Sequence, residues 1–341
     1  MRAFGWTLLL ALCCGLAHAA GPATPEADRR GEDQTFLTYP EWFLVYSPDE
    51  YADYLAEDRP PSEFPYFGHL VQFWQAYRAL AARTAEAYAF NGEYHTMIGV
   101  IGVSTSIEYG IKSAYELTIG RVTEATRGAG PTAEDRLAAE VARDYVDFLD
   151  RQPWYEYDYG HRLRQLWTDT PWTGPDMLRK LERRYFLTTE FAAKAIYARL
   201  IGWGAASSFD KPKPETLALV AGLADDAPLP PDVRRVGHHP DGQLLALPRY
   251  QPFTPAALAL ARDGGRFIEI AGNRDAILVT ALAPADWQPD AAWPHALLFR
   301  QPVLTRPAQH RIAVAVPVAE LGPLLERAAS PPLVLEHVYD Y

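Results

Sequence analysis

The spacing between apolar residues changes once along this chain, and that change restricts the folds open to it. From Tyr39 to Phe209 the apolar residues recur every three or four positions, as on one face of a helix. From Leu244 onward they form short runs of four to eight residues, which are typical of strands. We therefore predict an α+β protein, with a mainly helical, aromatic-rich domain over 39–210 and a small α/β sandwich domain over 244–341.

A proline-dense stretch separates the two patterns. Residues 211–248 contain seven prolines, and proline interrupts both helices and inner strands. We interpret 211–243 as a linker that holds at most one short helix, near Leu217–Leu223.

The C-terminal domain repeats a strand–helix–strand pattern. The first copy consists of a strand at Leu244–Leu247, a helix at Thr254–Arg262 and a strand at Phe267–Ile270. A second copy with similar spacing ends in a strand at Leu333–Val338. Because a ferredoxin-like sandwich is built from two such units, this duplication predicts a ferredoxin-like domain.

Two polar motifs predict where helices of the N-terminal domain begin. Ser47-Pro48-Asp49-Glu50 combines a capping residue, a proline for the first turn and two acids, so we expect a helix to start there. Thr132-Ala-Glu-Asp135 resembles a capping box and predicts a second helix start.

The first nineteen residues have the layout of a secretory signal peptide. Arg2 supplies a positive start, Phe4–Leu16 is an apolar run, and Ala17-His18-Ala19 places small residues where signal peptidase cleaves. The run is shorter than the roughly 20 residues that span a bilayer. We predict cleavage near Ala19 and a periplasmic or otherwise extracytoplasmic location. Retention of the segment as an anchor is the alternative.

Cleavage would leave a mature chain without cysteine. The two cysteines of the sequence, Cys13 and Cys14, both lie in the predicted signal peptide. A cysteine-free chain has no disulfide and no thiolate to act as a nucleophile or metal ligand. Behind the cleavage site, residues 20–38 are polar and rich in proline and alanine, and we expect a flexible leader.

The net charge of the sequence limits the kinds of ligand that we expect. The formal net charge is −11, and long runs of lysine or arginine are missing from the sequence. Nucleic acids and anionic lipid headgroups attract clustered cations, so we expect neither as a ligand. We also expect no cofactor and no metal site. Another envelope protein or a small ligand is the expected partner, and charge does not favour membrane association.

The segment Met97–Val122 holds the strongest candidate site. On a helical projection Glu108, Lys112 and Glu116 share one arc with Ser104 and Thr105. The opposite arc carries the apolar residues Val100, Val103, Ile107, Ile111 and Ala114.

Two interpretations of this segment remain open. In the first, the charged arc is solvated and the apolar arc packs on the protein. In the second, Glu108 and Lys112 line a pocket with His95, and a buried lysine loses its proton to act as a base or nucleophile. Three glycines, Gly99, Gly102 and Gly110, each cost about 1 kcal/mol within a helix. They indicate close helix contacts or a locally opened backbone.

Two other groups of side chains deserve comparison with known kinds of site. Tyr39, Glu41 and Trp42 join aromatic rings to a carboxylate, as in sugar-binding sites, although such residues also fill cores. His238 and His239 are metal-ligand residue types within the predicted linker, where solvation is the simpler interpretation.

Motifs of known enzyme classes are missing from the sequence, among them the nucleophile elbow, the HExxH zinc motif, the P-loop and the dinucleotide fingerprint. We therefore expect a binding or envelope-interaction module. An enzyme with a pocket around Glu108, Lys112 and His95, or a peripheral membrane protein, are the alternatives.

Three sequence runs carry a resemblance to a family. They are TYPEWFLVYSPDEYADYL, IGVSTSIEYGIKSAYELTIGRV and FIEIAGNRDAILVTALAP. They resemble a group of bacterial exported proteins with no known activity. The resemblance covers most of the predicted mature chain and implies a shared architecture, but it assigns no functional residue.

Overall fold

The structure is a computed structural model that describes residues 21–31, 33–128, 130–208, 213–290, 293 and 295–339, with side chains described only to residue 202 in the last N-terminal helix. The predicted signal peptide, 1–19, lies outside the described residues. Within them, no helix is both long enough and apolar enough to cross a bilayer.

The described chain is α+β, as predicted, with helices in the N-terminal part and two sheets in the C-terminal part. The helices are α1 (Gln34–Leu37), α2 (Tyr39–Ala56), α3 (Tyr66–Ala87), α4 (Gly92–Tyr115), α5 (Arg121–Glu124), α6 (Ala133–Leu149), α7 (Tyr159–Thr168), α8 (Met177–Ser208), α9 (Phe253–Arg262) and α10 (Leu321–Ala328). The strands are β1 (Glu215–Ala221), β2 (Arg234–His239), β3 (Gly242–Pro248), β4 (Arg266–Ile270), β5 (Ala276–Pro284), β6 (Leu297–Pro302), β7 (Gln309–Pro317) and β8 (Val334–Val338).

The C-terminal region, from β1 to β8, contains the same structural unit twice. Each unit has three strands, one helix and a fourth strand, in the sheet orders β2-β3-β1-β4 and β6-β7-β5-β8. The strand pairs of both sheets are antiparallel. The predicted duplication is therefore present. The ferredoxin-like arrangement does not describe it, because that fold has a helix between its first two strands, whereas the described residues between β1 and β2 and between β5 and β6 contain no helix.

One apolar core joins the two units. It contains Val220 and Leu247 of the first sheet, Ile277 of the second, and Leu260 and Leu325 of the two helices. Alternating side chains of a strand point to opposite faces, so one face of each sheet contributes to this core while the helices fill the space between. Burial of these side chains is the main stabilising contribution to the region.

The linker prediction for 211–243 is wrong, because this stretch supplies two strands of the first sheet. β1 replaces the short helix expected near Leu217–Leu223, and β2 follows it. Most of the prolines lie in the turns around these strands, and Pro248 is the last residue of β3. A short apolar run does not by itself distinguish a buried strand from a helix, and the antiparallel pairing of β1 with β3 and β4 decides for a strand.

The described part of the predicted leader, 21–38, is also bound to the protein. The backbone N–H groups of Ala23 and Thr24 donate to the buried carboxylate of Glu269, at 3.0 and 2.7 Å. Thr35 Oγ1 accepts from the N–H of Leu278 at 2.9 Å. The polar composition did not reveal these contacts because their partners lie more than 240 residues away along the chain.

The helical region packs on the outer side of the second sheet. Tyr39 and Trp42 of α2 and Leu80 of α3 share a core cluster with Leu278 of β5 and with Tyr339. The two regions thus share a continuous apolar contact.

A buried arginine adds a polar link across the same junction. Arg311 of β7 donates from Nε to both carboxylate oxygens of Glu336, at 2.8 and 2.9 Å, and its Nη1 lies 3.5 Å from Glu50 Oε1 in α2. The guanidinium also lies 4.2 Å from the centre of the Tyr46 ring. Since a buried charge needs partners of the opposite sign, this contact fixes how α2 meets the sheet.

The two predicted helix starts have different outcomes. Thr132 and Asp135 form a complete capping box at the start of α6, which confirms that prediction. The start predicted at Ser47 is wrong, because α2 runs through Ser47 and Pro48 without a break. The Ser47 hydroxyl instead bonds the Tyr109 hydroxyl at 2.6 Å, so its partner is a neighbouring helix.

Candidate functional site: an apolar outer face above buried ion pairs

Helix α4 has most of its charged side buried, with Glu108 as the exposed member of the charged arc, and its apolar side exposed. Lys112 and Glu116 are only 9 % and 0 % exposed, whereas Val100, Ile107 and Ile111 are 57 %, 58 % and 67 % exposed. The interpretation of a solvated charge stripe with a packed apolar arc is therefore wrong, because the helix is turned the other way.

Ion pairs with α8 account for this orientation. Lys112 Nζ lies 3.1 Å from Glu190 Oε1, and Lys194 Nζ lies 3.1 Å from the same oxygen and 3.0 Å from Glu108 Oε1. The Lys112 ammonium also lies 4.3 Å from the centre of the Tyr51 ring. These four charges form one alternating chain between the two helices.

A second ion pair lies further along the same two helices. Arg183 of α8 donates to both carboxylate oxygens of Glu116, at 2.9 and 3.1 Å, and its Nε donates to Glu182 at 2.7 Å. Position numbers rise along α4 as they fall along α8, so the helices run antiparallel. A π-helical turn at Glu116–Gly120 opens the backbone where this arginine binds.

Two more arginines attach α8 to α6. Arg179 Nη2 lies 3.0 Å from Asp135 Oδ1, and Arg184 Nη2 lies 2.7 Å from Glu134 Oε1. Each of these buried charges is paired, and pairing offsets a desolvation cost of several kcal/mol per ion. The inner side of α8 is therefore held by charges on both of its neighbours.

The ion pairs fix the protonation state of Lys112. Burial alone would lower the pKa of Lys112, but the Glu190 carboxylate and the Tyr51 oxygen raise it, and the net pKa lies above its ordinary value. Burial likewise would raise the pKa of Glu190, but Lys112 and Lys194 lower it to about 2. Both groups stay charged at neutral pH, which opposes a role for Lys112 as a neutral base or nucleophile.

Helix α8 shows the same inverted pattern as α4. Its inner side carries the charges described above, and its outer side carries large apolar residues that are each more than half exposed. We define the outer face as these side chains of α4, its π-helical turn and α8: Val100, Val103, Ile107, Ile111, Leu117, Leu178, Leu181, Tyr185, Ile196 and Leu200.

The two halves of the outer face lie beside each other. The ion pairs hold α4 and α8 together in antiparallel order, and the core of the region lies beneath both helices. The stripes that point away from this core therefore lie on the same side. Phe67 and Val71 of α3 are exposed as well, next to the point where Trp74 bonds Ser106 of α4 at 3.2 Å.

The predicted catalytic group is not brought together. His95 accepts or donates a hydrogen bond with the Tyr77 hydroxyl at 2.9 Å and stacks on Phe90. It lies at the start of α4, seventeen residues before Lys112, which corresponds to about 25 Å along a helix. Glu108 lies between them and is bound to Lys194.

The predicted ligand-binding group lies in the protein interior. Tyr39 is fully buried, and the ring of Trp42 packs against that of His337 with 3.6 Å between ring centres and 36° between ring planes. Glu41 accepts a short hydrogen bond from the Tyr94 hydroxyl. Burial raises the pKa of Glu41, and that hydrogen bond opposes the rise. The aromatic rings of this group therefore contribute to packing instead of forming an open platform.

Two cavities lie in the C-terminal region, and neither is lined by a residue of the predicted groups. One, of about 260 Å³, is lined by His238, His239 and Asp241 among others, and the second, of about 590 Å³, lies between Leu258 of α9 and Val334 of β8. Across the described residues, no group of three or more His, Cys, Asp or Glu side chains could hold a metal ion.

The charged arc of α4 is recognisable in the sequence, but the residues of α8 that bind it are not. Glu190 and Arg183 lie 78 and 67 residues from the residues they bind. A usable signal was present in α8, where charges recur at 179, 183, 190 and 194 with apolar residues between them.

No protein-family model, curated protein or solved structure matches the chain.

Proposed function

We propose that this protein is an exported, extracytoplasmic binding module that binds a protein partner in the cell envelope through its outer face. The observation that supports this most directly is the exposure of ten large apolar side chains above a layer of buried ion pairs. Monomeric proteins rarely expose a continuous apolar patch larger than about 300–600 Å².

The distribution of charge favours binding through this face. The central part of a protein interface is depleted in charged residues and rich in apolar and aromatic ones. Here Lys112 of α4 pairs with Glu190, and Arg183 of α8 pairs with Glu116, on the inner side of the two helices, so a partner that covers Ile107 or Leu181 does not desolvate these charges. Catalysis at the predicted group has weaker support, because Lys112 is held as an ammonium ion and lies far from His95.

A variant of the outer face tests attachment. We expect the wild-type protein in gently prepared envelope extract to elute well above the mass of one chain. Ile107→Glu combined with Leu181→Glu should elute as a single chain, because two carboxylates would be desolvated in the contact. Val236→Glu, at an exposed apolar position of β2, is the matched control. Equal elution of the double variant and the wild type would refute the proposal.

Export is tested separately by intact-mass spectrometry of the protein from each cell fraction. The expected product begins after Ala19 and is found outside the cytoplasm. A soluble cytoplasmic chain that retains Met1 would overturn the export part of the proposal.

A further inference from the structure

We infer that the occupant of the outer face is a second copy of this chain, with α4 of one copy packed antiparallel against α4 of the other. This inference rests on the proposed function, since it uses the same surface, and it names the partner. Two observations carry it: the glycines of α4 and the apolar area beside them.

Four glycines of α4 and its π-helical turn fall into two classes. A Cβ atom at Gly102 would lie 2.5 Å from a ring carbon of Phe73, and one at Gly120 would lie 2.3 Å from the carboxylate of Glu116. Contacts within the chain therefore require glycine at these two positions. At Gly99 and Gly110 an added Cβ would meet nothing within 4 Å, so packing within the chain requires glycine at neither.

Close approach of another backbone would explain why positions 99 and 110 are glycine. Each glycine destabilises a helix interior by about 1 kcal/mol relative to alanine, and small residues on a helix surface let a second helix approach closely. Fluid lipid tails adapt to a side chain as readily as to a hydrogen atom. The two glycines therefore favour a rigid helical partner over a membrane.

The spacing of these glycines fits a symmetric pair. They are eleven residues apart, which is close to three turns or about 16 Å, so they lie on one side of the helix. Val103 lies near that side, between them. About a two-fold axis near residues 104 and 105, Gly99 of one copy lies opposite Gly110 of the other. Such a contact is self-complementary, as a two-fold interface must be.

The area is sufficient for a stable dimer. The five apolar side chains of the face that belong to α4 and its π-helical turn, together with Phe67 and Val71 of α3, are each about half exposed and present roughly 600–700 Å² of apolar surface. A standard interface buries about 800 Å² on each partner.

The distribution of charge permits a second copy. The chain is acidic, so two copies tolerate contact where the carboxylates near the face are paired. Glu108 is bound to Lys194, and Lys112 is buried against Glu190. Two exposed arginines, Arg121 four residues after Leu117 and Arg199 three residues after Ile196, offset part of the repulsion between two acidic chains.

Sedimentation of the purified mature protein over a range of concentrations tests the inference. The wild type should sediment as a dimer. Gly99→Leu combined with Gly110→Leu should weaken self-association by about 100-fold or more, because the added side chains prevent close approach of the backbones. Gly237→Leu, at an open glycine in β2, is the matched control and should leave the dimer intact. Far-UV circular dichroism checks that each variant is folded.

A cross-linking measurement gives an independent route that does not depend on a disruptive variant. Because the mature chain has no cysteine, Val103→Cys introduces a single thiol near the predicted two-fold axis. Mild oxidation should join two chains, whereas Val236→Cys should not.

Flotation with phosphatidylcholine vesicles separates the competing occupants. If the protein sediments as one chain and floats with vesicles, and the Gly99→Leu, Gly110→Leu variant floats at least as well, the occupant is a lipid surface and the second copy is refuted. If the protein sediments as one chain and does not float, it can still form an assembly in envelope extract. Loss of that assembly in the Ile107→Glu, Leu181→Glu variant would refute the second copy and leave the proposed function intact. If that variant changes neither measurement, both proposals fail.

Discussion

The helical region and the β-rich region of this protein arrange charge and apolar surface in opposite ways. In the β-rich region, β1 to β8, the apolar residues fill the core, and among its described large apolar side chains only Val236 and Val334 are exposed. In the helical region α4 and α8 expose apolar stripes and bury the charges between them. The apolar residues of the β-rich region are covered within the chain, whereas the helical region leaves its outer face exposed.

This difference shows that an amphipathic pattern identifies two sides of a helix without stating which one is buried. Burying an apolar side of α4 would gain about 25 cal/mol for each Å² removed from water. In the observed orientation α4 forms ion pairs with α8 and leaves its apolar side in water, so the free energy of burial is gained only when another surface covers that side. Four experiments test this difference between the two regions.

The largest effect is expected when a buried ion pair of the helical region is broken. Arg183→Met leaves Glu116 buried without its partner and removes one of the two arginines that bind Glu182, and should lower the free energy of unfolding by about 3–5 kcal/mol. Urea denaturation measures it. Arg234→Met, which removes an exposed partner of Glu215, should leave the midpoint unchanged. A loss below about 1 kcal/mol for the Arg183 variant would mean that the buried charges do not hold this region together.

Two isoleucines provide a direct comparison of the regions. Ile277→Ala in the β-rich core should cost about 3 kcal/mol, because it leaves a cavity among fully buried side chains. Ile111→Ala on the outer face should change the stability of the dilute, dissociated protein by less than about 0.5 kcal/mol. Equal losses in denaturation experiments at low protein concentration would show that Ile111 is buried within a single chain.

Two buried groups, His337 of the β-rich region and Glu190 of the helical region, should respond to acid in different pH ranges. Burial lowers the pKa of His337 to about 3. Because this value lies below the unfolded-state pKa of about 6.5, the neutral ring stabilises the fold fully above pH 6.5, and this contribution is lost as the pH falls towards 3. About 2 kcal/mol should be lost by pH 5. Glu190, with its pKa lowered to about 2, loses its contribution only between about pH 4.5 and 2.

His337→Phe isolates the first of these pH ranges. The variant should unfold with a smaller dependence on pH between 6.5 and 4, measured as denaturation midpoints in a series of buffers. The same pH dependence as the wild type would show that His337 is not the group that titrates.

The smallest effect is expected at the open glycines. Gly110→Ala should raise the free energy of unfolding of the dilute protein by about 0.5–1 kcal/mol, because it removes backbone freedom without a clash. Gly102→Ala should have the opposite sign, since its methyl group would overlap the rings of Phe73 and Trp74. Thermal unfolding of both variants measures the difference. A loss of stability at Gly110 would mean that an intrachain contact occupies that space.

Much of the secondary structure could be predicted from local patterns, and the exceptions have physical causes. The capping box at Thr132 and Asp135 and the strands β3, β4, β5 and β8 follow from signals within a few residues. β1 was missed because its apolar run is ambiguous until β3 and β4 pair with it. In the candidate site, Lys112 was singled out, but its partner Glu190 could not be, because pairs 78 residues apart leave no local pattern.

By itself the sequence determined the α+β class, the order of most elements and the division of α4 into a charged and an apolar side. Only the tertiary structure decided which side faces inward, which strands complete the first sheet, and that the stretch behind the predicted signal peptide binds Glu269. The physical reason is that helical periodicity fixes the angles between side chains on one element, whereas the direction of burial depends on charges and surfaces that distant parts of the chain supply.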